Sequence, residues 1–185
     1  MVGKTQRILN KLTKKPRPLK KLNDDFILPN YSGIADFNRK KINAFGEIWV
    51  KGNATADTVT TGSTTQVLRF ANNGESNINT SDHTNDHITI NKAGVYLVNV
   101  SVSFLGDPSV DWEFSVFTNN GTTECDNVHL NRKLGSGGDI GNAGAVGLCS
   151  FSVGDTVELW YEHGAGVNKD ITIQDCNLNV VYVDK

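Results

Sequence analysis

The chain has 185 residues, of which 38% are hydrophobic and 21% are charged, and these values are typical of a folded domain. It contains no apolar run that approaches the roughly 18 residues of a membrane-spanning helix, and its first residues contain no apolar stretch of signal-peptide length. We therefore expect a protein that is made in a cytoplasm and has no membrane partner.

The formal net charge of -2 hides two oppositely charged segments. Residues 1–21 contain no acidic residue, and residues 22–185 contain ten basic and twenty acidic residues. A tail of charge +8 therefore precedes a body of charge -10. The eight basic residues of the tail are Lys4, Arg7, Lys11, Lys14, Lys15, Arg17, Lys20 and Lys21.

The segment that follows the basic residues carries regularly spaced apolar side chains. Leu28, Tyr31, Ile34 and Phe37 are three residues apart, and Pro29 interrupts any helix that this spacing would favour. We interpret residues 1–44 as an extended N-terminal arm with apolar anchors. The sequence leaves three roles open for the arm: a solvated tail, docking on an acidic protein lattice, and nucleic-acid binding. The anchors favour docking, because neutralising phosphates does not require apolar side chains.

Residues 45–185 alternate between apolar and polar side chains with a period of two, which predicts β-strands. Clusters of Gly, Asn and Asp separate these segments, and none of them shows a helical apolar stripe. The pattern predicts an all-β, antiparallel sandwich or jelly roll of eight to ten strands. The predicted strands are Glu47–Val50, Gln66–Phe70, His87–Ile90, Tyr96–Phe104, Trp112–Val116, Val128–Leu134, Ala145–Phe151, Val157–Tyr161 and Ile171–Val183.

The three cysteines, Cys125, Cys149 and Cys176, are widely spaced and odd in number. They form no CxxC or zinc-ligand motif, so we expect reduced, buried thiols.

The polar motifs do not predict an enzyme. The segment from Asp82 to His87 contains two imidazoles and two carboxylates, but alternate side chains diverge where a loop enters a strand. No nucleophile elbow accompanies the cysteines, and the Gly-rich run from Gly135 to Gly144 lacks a phosphate-binding Lys-Ser/Thr. We expect no catalytic residue, no metal and no cofactor.

Two motifs resemble those of C1q and tumour necrosis factor-like domains. The first is Ile90, Gly94 and Tyr96 in the segment DHITINKAGVYLVNVSVSF, and the second is Gly154-Asp155, which lies sixty positions after Gly94. In this chain Leu178-Asn179-Val180 replaces the aromatic-x-Gly often found in that family's last strand. The resemblance covers about residues 46–183 and implies a ten-stranded jelly roll that assembles as a homotrimer. We assign Trp160, which alternates out of phase with its apolar neighbours, and Tyr96 to the trimer interface.

By analogy, these features predict a virion structural protein on the exterior of a capsid, synthesised in the host cytoplasm. The first expectation is a trimeric bacteriophage head decoration or cement protein whose arm binds the major capsid protein. One alternative is the receptor-binding tip of a phage tail or fibre. A second is a capsid shell protein whose basic arm binds the genome.

Overall fold

A computed structural model describes residues 44–137 and 139–184. These residues form twelve β-strands and no helix, and accordingly none of them lies in a helix that is long and apolar enough to cross a membrane. The strands are β1 (Phe45–Val50), β2 (Asp57–Val59), β3 (Thr65–Gln66), β4 (Asn72–Asn73), β5 (Thr80–Asp82), β6 (His87–Thr89), β7 (Gly94–Gly106), β8 (Asp111–Thr118), β9 (Thr123–Lys133), β10 (Gly141–Phe151), β11 (Thr156–His163) and β12 (Lys169–Asp184).

The strands form two antiparallel sheets. In sheet A the order is β10-β7-β12-β1-β4, and β2 also pairs with β12. In sheet B the order is β5-β6-β11-β8-β9, and β3 also pairs with β11. Apart from β5–β6 and β8–β9, the paired strands are not consecutive in the chain, as the all-β jelly-roll prediction requires.

Period-two alternation directs one face of each sheet into the core. Along β7, the side chains from Tyr96 to Phe104 alternate strictly between buried and partly or fully exposed positions. Aromatic rings from both sheets meet inside, with Phe104 of sheet A and Phe114 of sheet B 5.1 Å apart between centroids. The alternate side chains of each strand therefore lie on the outer face of its sheet.

A disulfide links the two sheets at one edge of the sandwich, so the expectation of three reduced thiols was wrong. Cys125 on β9 is bonded to Cys149 on β10, and their Cα atoms are 6.1 Å apart. Cys176 remains a free thiol and is fully buried, which raises its pKa. The two bonded cysteines are 24 residues apart in sequence, and only the topology brings their strands together.

The predicted strand Gln66–Phe70 is shorter than expected. Strand pairing with β11 is limited to Thr65–Gln66, followed by one hydrogen bond from the Val67 N–H to the Leu159 carbonyl at 2.9 Å. The Phe70 N–H donates to the Asp86 carboxylate at 2.9 Å instead of to a neighbouring strand. The short strands β2, β4 and β5 were not predicted. They contain two or three residues each, too few to display an alternating pattern.

Candidate interaction surfaces

An apolar row crosses the outer face of sheet A. Leu148 of β10 pairs with Leu97 of β7, Leu97 pairs with Val181 of β12, and Val181 pairs with Phe45 of β1. Leu148 is 51% exposed and Leu97 is 40% exposed, although both lie in the middle of regular strands. We call these four residues the apolar row. A contiguous apolar patch on a sheet face indicates contact with another protein surface.

Polar side chains adjoin the apolar row and are bonded to one another. Asn177 donates to the Glu47 carboxylate at 2.5 Å, and Asn179 donates to Asn177 at 2.8 Å. Because these amides are already hydrogen-bonded within the chain, they would keep those bonds if a partner protein covered the face. The outer face of sheet A therefore combines the apolar row with polar side chains that are hydrogen-bonded to one another.

A groove of about 700 Å³ lies further along the same face. Small residues of β7 and β10, including Ser101, Ser103 and Gly144, line it, and Trp49 of β1 is also among its lining residues. Lys51 and Asp175 contribute one charge of each sign. Because of this groove, the outer face of sheet A is concave at this point and can fit a protruding surface of a partner.

The two motifs that suggested the family form turns in the structure. Gly94 has a φ of 150°, and a Cβ there would lie 2.5 Å from the Asp184 carbonyl oxygen. Gly154 has a φ of 95°, which favours glycine, and its N–H donates to the Ile90 carbonyl at 2.8 Å. The Asp155 carboxylate accepts from the Ser152 N–H at 2.8 Å. Both motifs therefore have structural roles.

Solved structures of known proteins match this architecture. Eiger TNF from S. frugiperda is similar over 77% of this chain and 96% of its own, with 13% identity and a TM-score of 0.55. The globular domain of zebrafish complement 1qA matches over 77% and 99%, with 14% identity and a TM-score of 0.51. Murine APRIL matches over 76% and 98%, with 16% identity and a TM-score of 0.50.

The described chain has the C1q/TNF-like jelly-roll fold. The fold expected from the sequence is thereby confirmed. No protein-family model matches the chain, and no curated protein sequence matches it. At 13 to 16% identity, these neighbours establish the fold of this chain and leave its binding partners to be inferred from its own residues.

Tyr96 lies inside this jelly roll. Its side chain is fully buried, and its hydroxyl donates to the Lys92 carbonyl at 2.7 Å. The ring packs 5.5 Å from Tyr182 and 5.7 Å from Phe151. Burial raises the pKa of the Tyr96 hydroxyl. The assignment of Tyr96 to a trimer interface therefore conflicts with its position, because it presents no surface to a neighbouring subunit.

Trp160 lies on the outer face of sheet B, away from the apolar row. Its indole N–H donates to the Glu158 carboxylate at 3.0 Å, and its ring lies 5.8 Å from Phe117. Gly121, in the turn between β8 and β9, lies against its ring, where an added Cβ would be 2.9 Å from the nearest ring carbon. The alternation placed Trp160 correctly on the outer side of its strand. The contact of Trp160 with a neighbouring subunit stays a prediction.

The polar segment from Asp82 to His87 forms a turn in which the side chains have different hydrogen-bond partners and do not converge on one point. His83 contacts the Asn73 side chain, and the Asp82 carboxylate accepts from backbone N–H groups within its own turn. Asp86 is only 8% exposed, and burial raises the pKa of its carboxyl to about 6. Within residues 44–137 and 139–184, no three His, Cys, Asp or Glu side chains are placed to hold a metal ion.

The predicted arm residues, the basic set from Lys4 to Lys21 and the apolar set from Leu28 to Phe37, lie outside the described residues. The sequence did not reveal the apolar row, because its members come from four distant strands and only the register aligns them. It also missed Glu158, which is 1% exposed. The period-two pattern does place Glu158 on the face of Trp160, which is a usable signal.

Proposed function

We propose that this chain is a trimeric bacteriophage head decoration protein whose N-terminal arm binds the major capsid protein. The observation that carries the proposal is the charge division, with +8 in residues 1–21 and -10 in the remainder. A basic arm is attracted to an acidic lattice, and the acidic body is repelled by nucleic acid. Enzymatic activity is no part of this proposal.

The apolar row is the surface that we assign to the trimer. The fold family implies assembly in threes, and the apolar row offers each copy a face from which water can be excluded. The same proposal places the arm of each subunit on the capsid. Three arms that bind together gain avidity beyond the affinity of one arm.

The disulfide adds a condition to the proposed location. Disulfides form and persist in oxidising environments. Because Cys125 and Cys149 are bonded, reduced thiols can no longer be counted as support for a protein that stays in the cytoplasm. We place the protein on the virion exterior and expect the bond between Cys125 and Cys149 to form after the particle leaves the host cytoplasm.

The test is a truncation that removes residues 1–43 and keeps Ala44, which is buried in the core and whose carbonyl accepts the Tyr182 N–H. The expected product remains a folded trimer by sedimentation and no longer co-sediments with capsids that lack the protein. Two full-length variants separate charge from apolar contact: Lys14, Lys15, Lys20 and Lys21 changed to Glu in one, and Leu28, Tyr31, Ile34 and Phe37 changed to Ser in the other. We expect both to bind weakly. Full capsid binding by the truncated chain would overturn the arm hypothesis.

The number of copies per particle tests the same proposal against its alternatives. A decoration protein is present in hundreds of copies beside a separate major capsid protein. A few copies per particle would instead support a receptor-binding tip. A chain that itself forms the shell, with an arm that binds nucleic acid in a steeply salt-dependent manner, would support a shell protein.

A further inference from the structure

A cleft of about 240 Å³ opens on the outer face of sheet B, between β8, β9 and β11. It lies on the opposite sheet from the apolar row and does not depend on the proposed capsid function. Three aromatic residues, three glutamates and one histidine line it, together with small hydroxyl-bearing residues. The lining residues that matter for binding are Glu113, Phe117, Glu124, His129, Trp160 and Glu162.

The Trp160 ring is held in place by contacts on several sides. The Glu158 carboxylate accepts its N–H, Phe117 packs against it at 5.8 Å between ring centroids, and Gly121 lies against the six-membered ring. A ring fixed in this way loses little conformational entropy when a ligand stacks on it. The cleft therefore has a preorganised aromatic wall.

The charge of the cleft is strongly negative. Glu113, Glu124 and Glu162 line it, and no Lys or Arg within residues 44–137 and 139–184 does. His129 lies between two of these groups, with Nε2 3.8 Å from Glu113 and Nδ1 3.5 Å from Glu124. The His129 Nδ1 atom also lies 2.8 Å from the Ser115 hydroxyl.

Glu158, directly beside Trp160, adds a fourth carboxylate that the cleft does not expose. It accepts hydrogen bonds from three neutral donors: the Asn120 N–H at 3.0 Å, the Thr156 hydroxyl at 2.6 Å and the Trp160 indole. Neutral donors satisfy hydrogen bonds but do not cancel a charge. The field around Trp160 therefore favours a cation.

An organic cation fits this site better than a metal ion. No three ligating side chains in the described part of the chain are arranged for a metal, and the aromatic wall supplies a π face. A guanidinium is planar, stacks on an indole and donates two parallel hydrogen bonds to a carboxylate. We propose that this cleft binds the arginine side chain of a partner polypeptide.

The test titrates the full-length protein with the peptide acetyl-Gly-Arg-Gly-amide at low ionic strength. Tryptophan fluorescence and the indole N–H resonance of Trp160 follow the titration. We expect saturable binding that perturbs Trp160, and affinity about tenfold lower for the peptide in which neutral citrulline replaces arginine.

Two matched variants connect the binding to the cleft. Glu124→Gln, at an exposed position, is expected to weaken binding about twofold to fivefold and to leave the fold intact. Glu75→Gln makes the same change in charge at an exposed site outside the cleft and should leave the affinity unchanged. Equal binding of the citrulline peptide, equal losses in the two variants, or no saturable change would each overturn the proposal.

Discussion

The Glu158 carboxylate accepts the indole N–H of Trp160, with Oε2 3.0 Å from Nε1. This carboxylate is 1% exposed although it lies on the outer face of its sheet. The turn between β8 and β9 is bonded to it as well, through the Asn120 N–H. Glu158 therefore links a strand of sheet B to the turn beside it, and its hydrogen bonds determine how Trp160 is presented.

Replacing Glu158 with Gln should destabilise the domain. Both oxygens of the Glu158 carboxylate accept hydrogen bonds, whereas Gln has one oxygen and one NH₂ group. That NH₂ would face an N–H or O–H donor, so one buried hydrogen bond would be lost. We expect the free energy of unfolding to fall by about 1 to 3 kcal/mol in urea titrations followed by tryptophan fluorescence. The exposed variant Glu75→Gln should stay within about 0.5 kcal/mol of wild type. Equal stability of the two variants would contradict this role for Glu158.

The sequence predicted the long strands and not the features that depend on register. Val98 and Val100 alternate with polar residues, so the sequence predicted both the strand and the face of it that is buried. The apolar row was not, because Leu97 and Leu148 come to lie side by side only when β7 pairs with β10. The cysteine pairing was missed for the same reason, since spacing along the chain does not give distance in a sandwich.

The disulfide should contribute measurably to stability. The double variant Cys125→Ser, Cys149→Ser removes a cross-link between residues 24 positions apart, which increases the entropy of the unfolded chain. We expect the free energy of unfolding to drop by about 2 to 4 kcal/mol. Adding dithiothreitol should lower the stability of the wild type to that of the double variant and leave the double variant unchanged. Insensitivity of the wild type to reduction would show that the bond is absent in solution.

Asp86 should make the stability depend on pH between about 4 and 6. Burial raises its pKa in the folded protein to about 6, above the ordinary value of 3.8, while the nearby Arg69, His83 and His87 and the Phe70 N–H oppose the rise. The folded state therefore binds a proton more tightly than the unfolded state. The contribution of Asp86 to stability is complete below pH 4 and is lost as the pH rises through about 6.

The matched variant for this effect is Asp86→Asn. Asn retains an oxygen that can accept the Phe70 N–H, and it tolerates the Asp86 φ of 54°. Urea midpoints measured from pH 4 to pH 7 should decline less with rising pH in the variant than in the wild type. Identical pH profiles for the two proteins would rule out the raised pKa.

Gly147 should tolerate no larger side chain. It lies where β10 approaches β9, and a Cβ at this position would be 2.5 Å from the Asn127 carbonyl oxygen. Gly147→Ala should therefore force the strands apart and lower the free energy of unfolding by about 1 to 3 kcal/mol in chemical denaturation. Gly166→Ala is the control, because a Cβ there would have no atom of the described residues within 4 Å. Similar stabilities for both variants would mean that the two strands do not approach so closely.

Leu97 is the residue with which to test the proposed trimer. Leu97→Asp places a charge in the middle of the apolar row, where a partner surface would leave it without a counter-ion. We expect the dissociation constant of the trimer to rise by about tenfold or more in sedimentation equilibrium. Leu68→Asp, at a position that is 55% exposed and lies between β3 and β4, should not change assembly. A monomeric wild type, or an unaffected Leu97→Asp trimer, would contradict the assignment.

The position of β12 has a consequence for biosynthesis. This strand lies between β7 and β1 in sheet A, and β2 depends on it as well. Sheet A therefore cannot be completed on the ribosome until residues 169–184 have emerged. Until then, β1 and β7 lack the strand that lies between them, and their apolar side chains are exposed. The nascent chain completes this sheet only after its other strands have been synthesised.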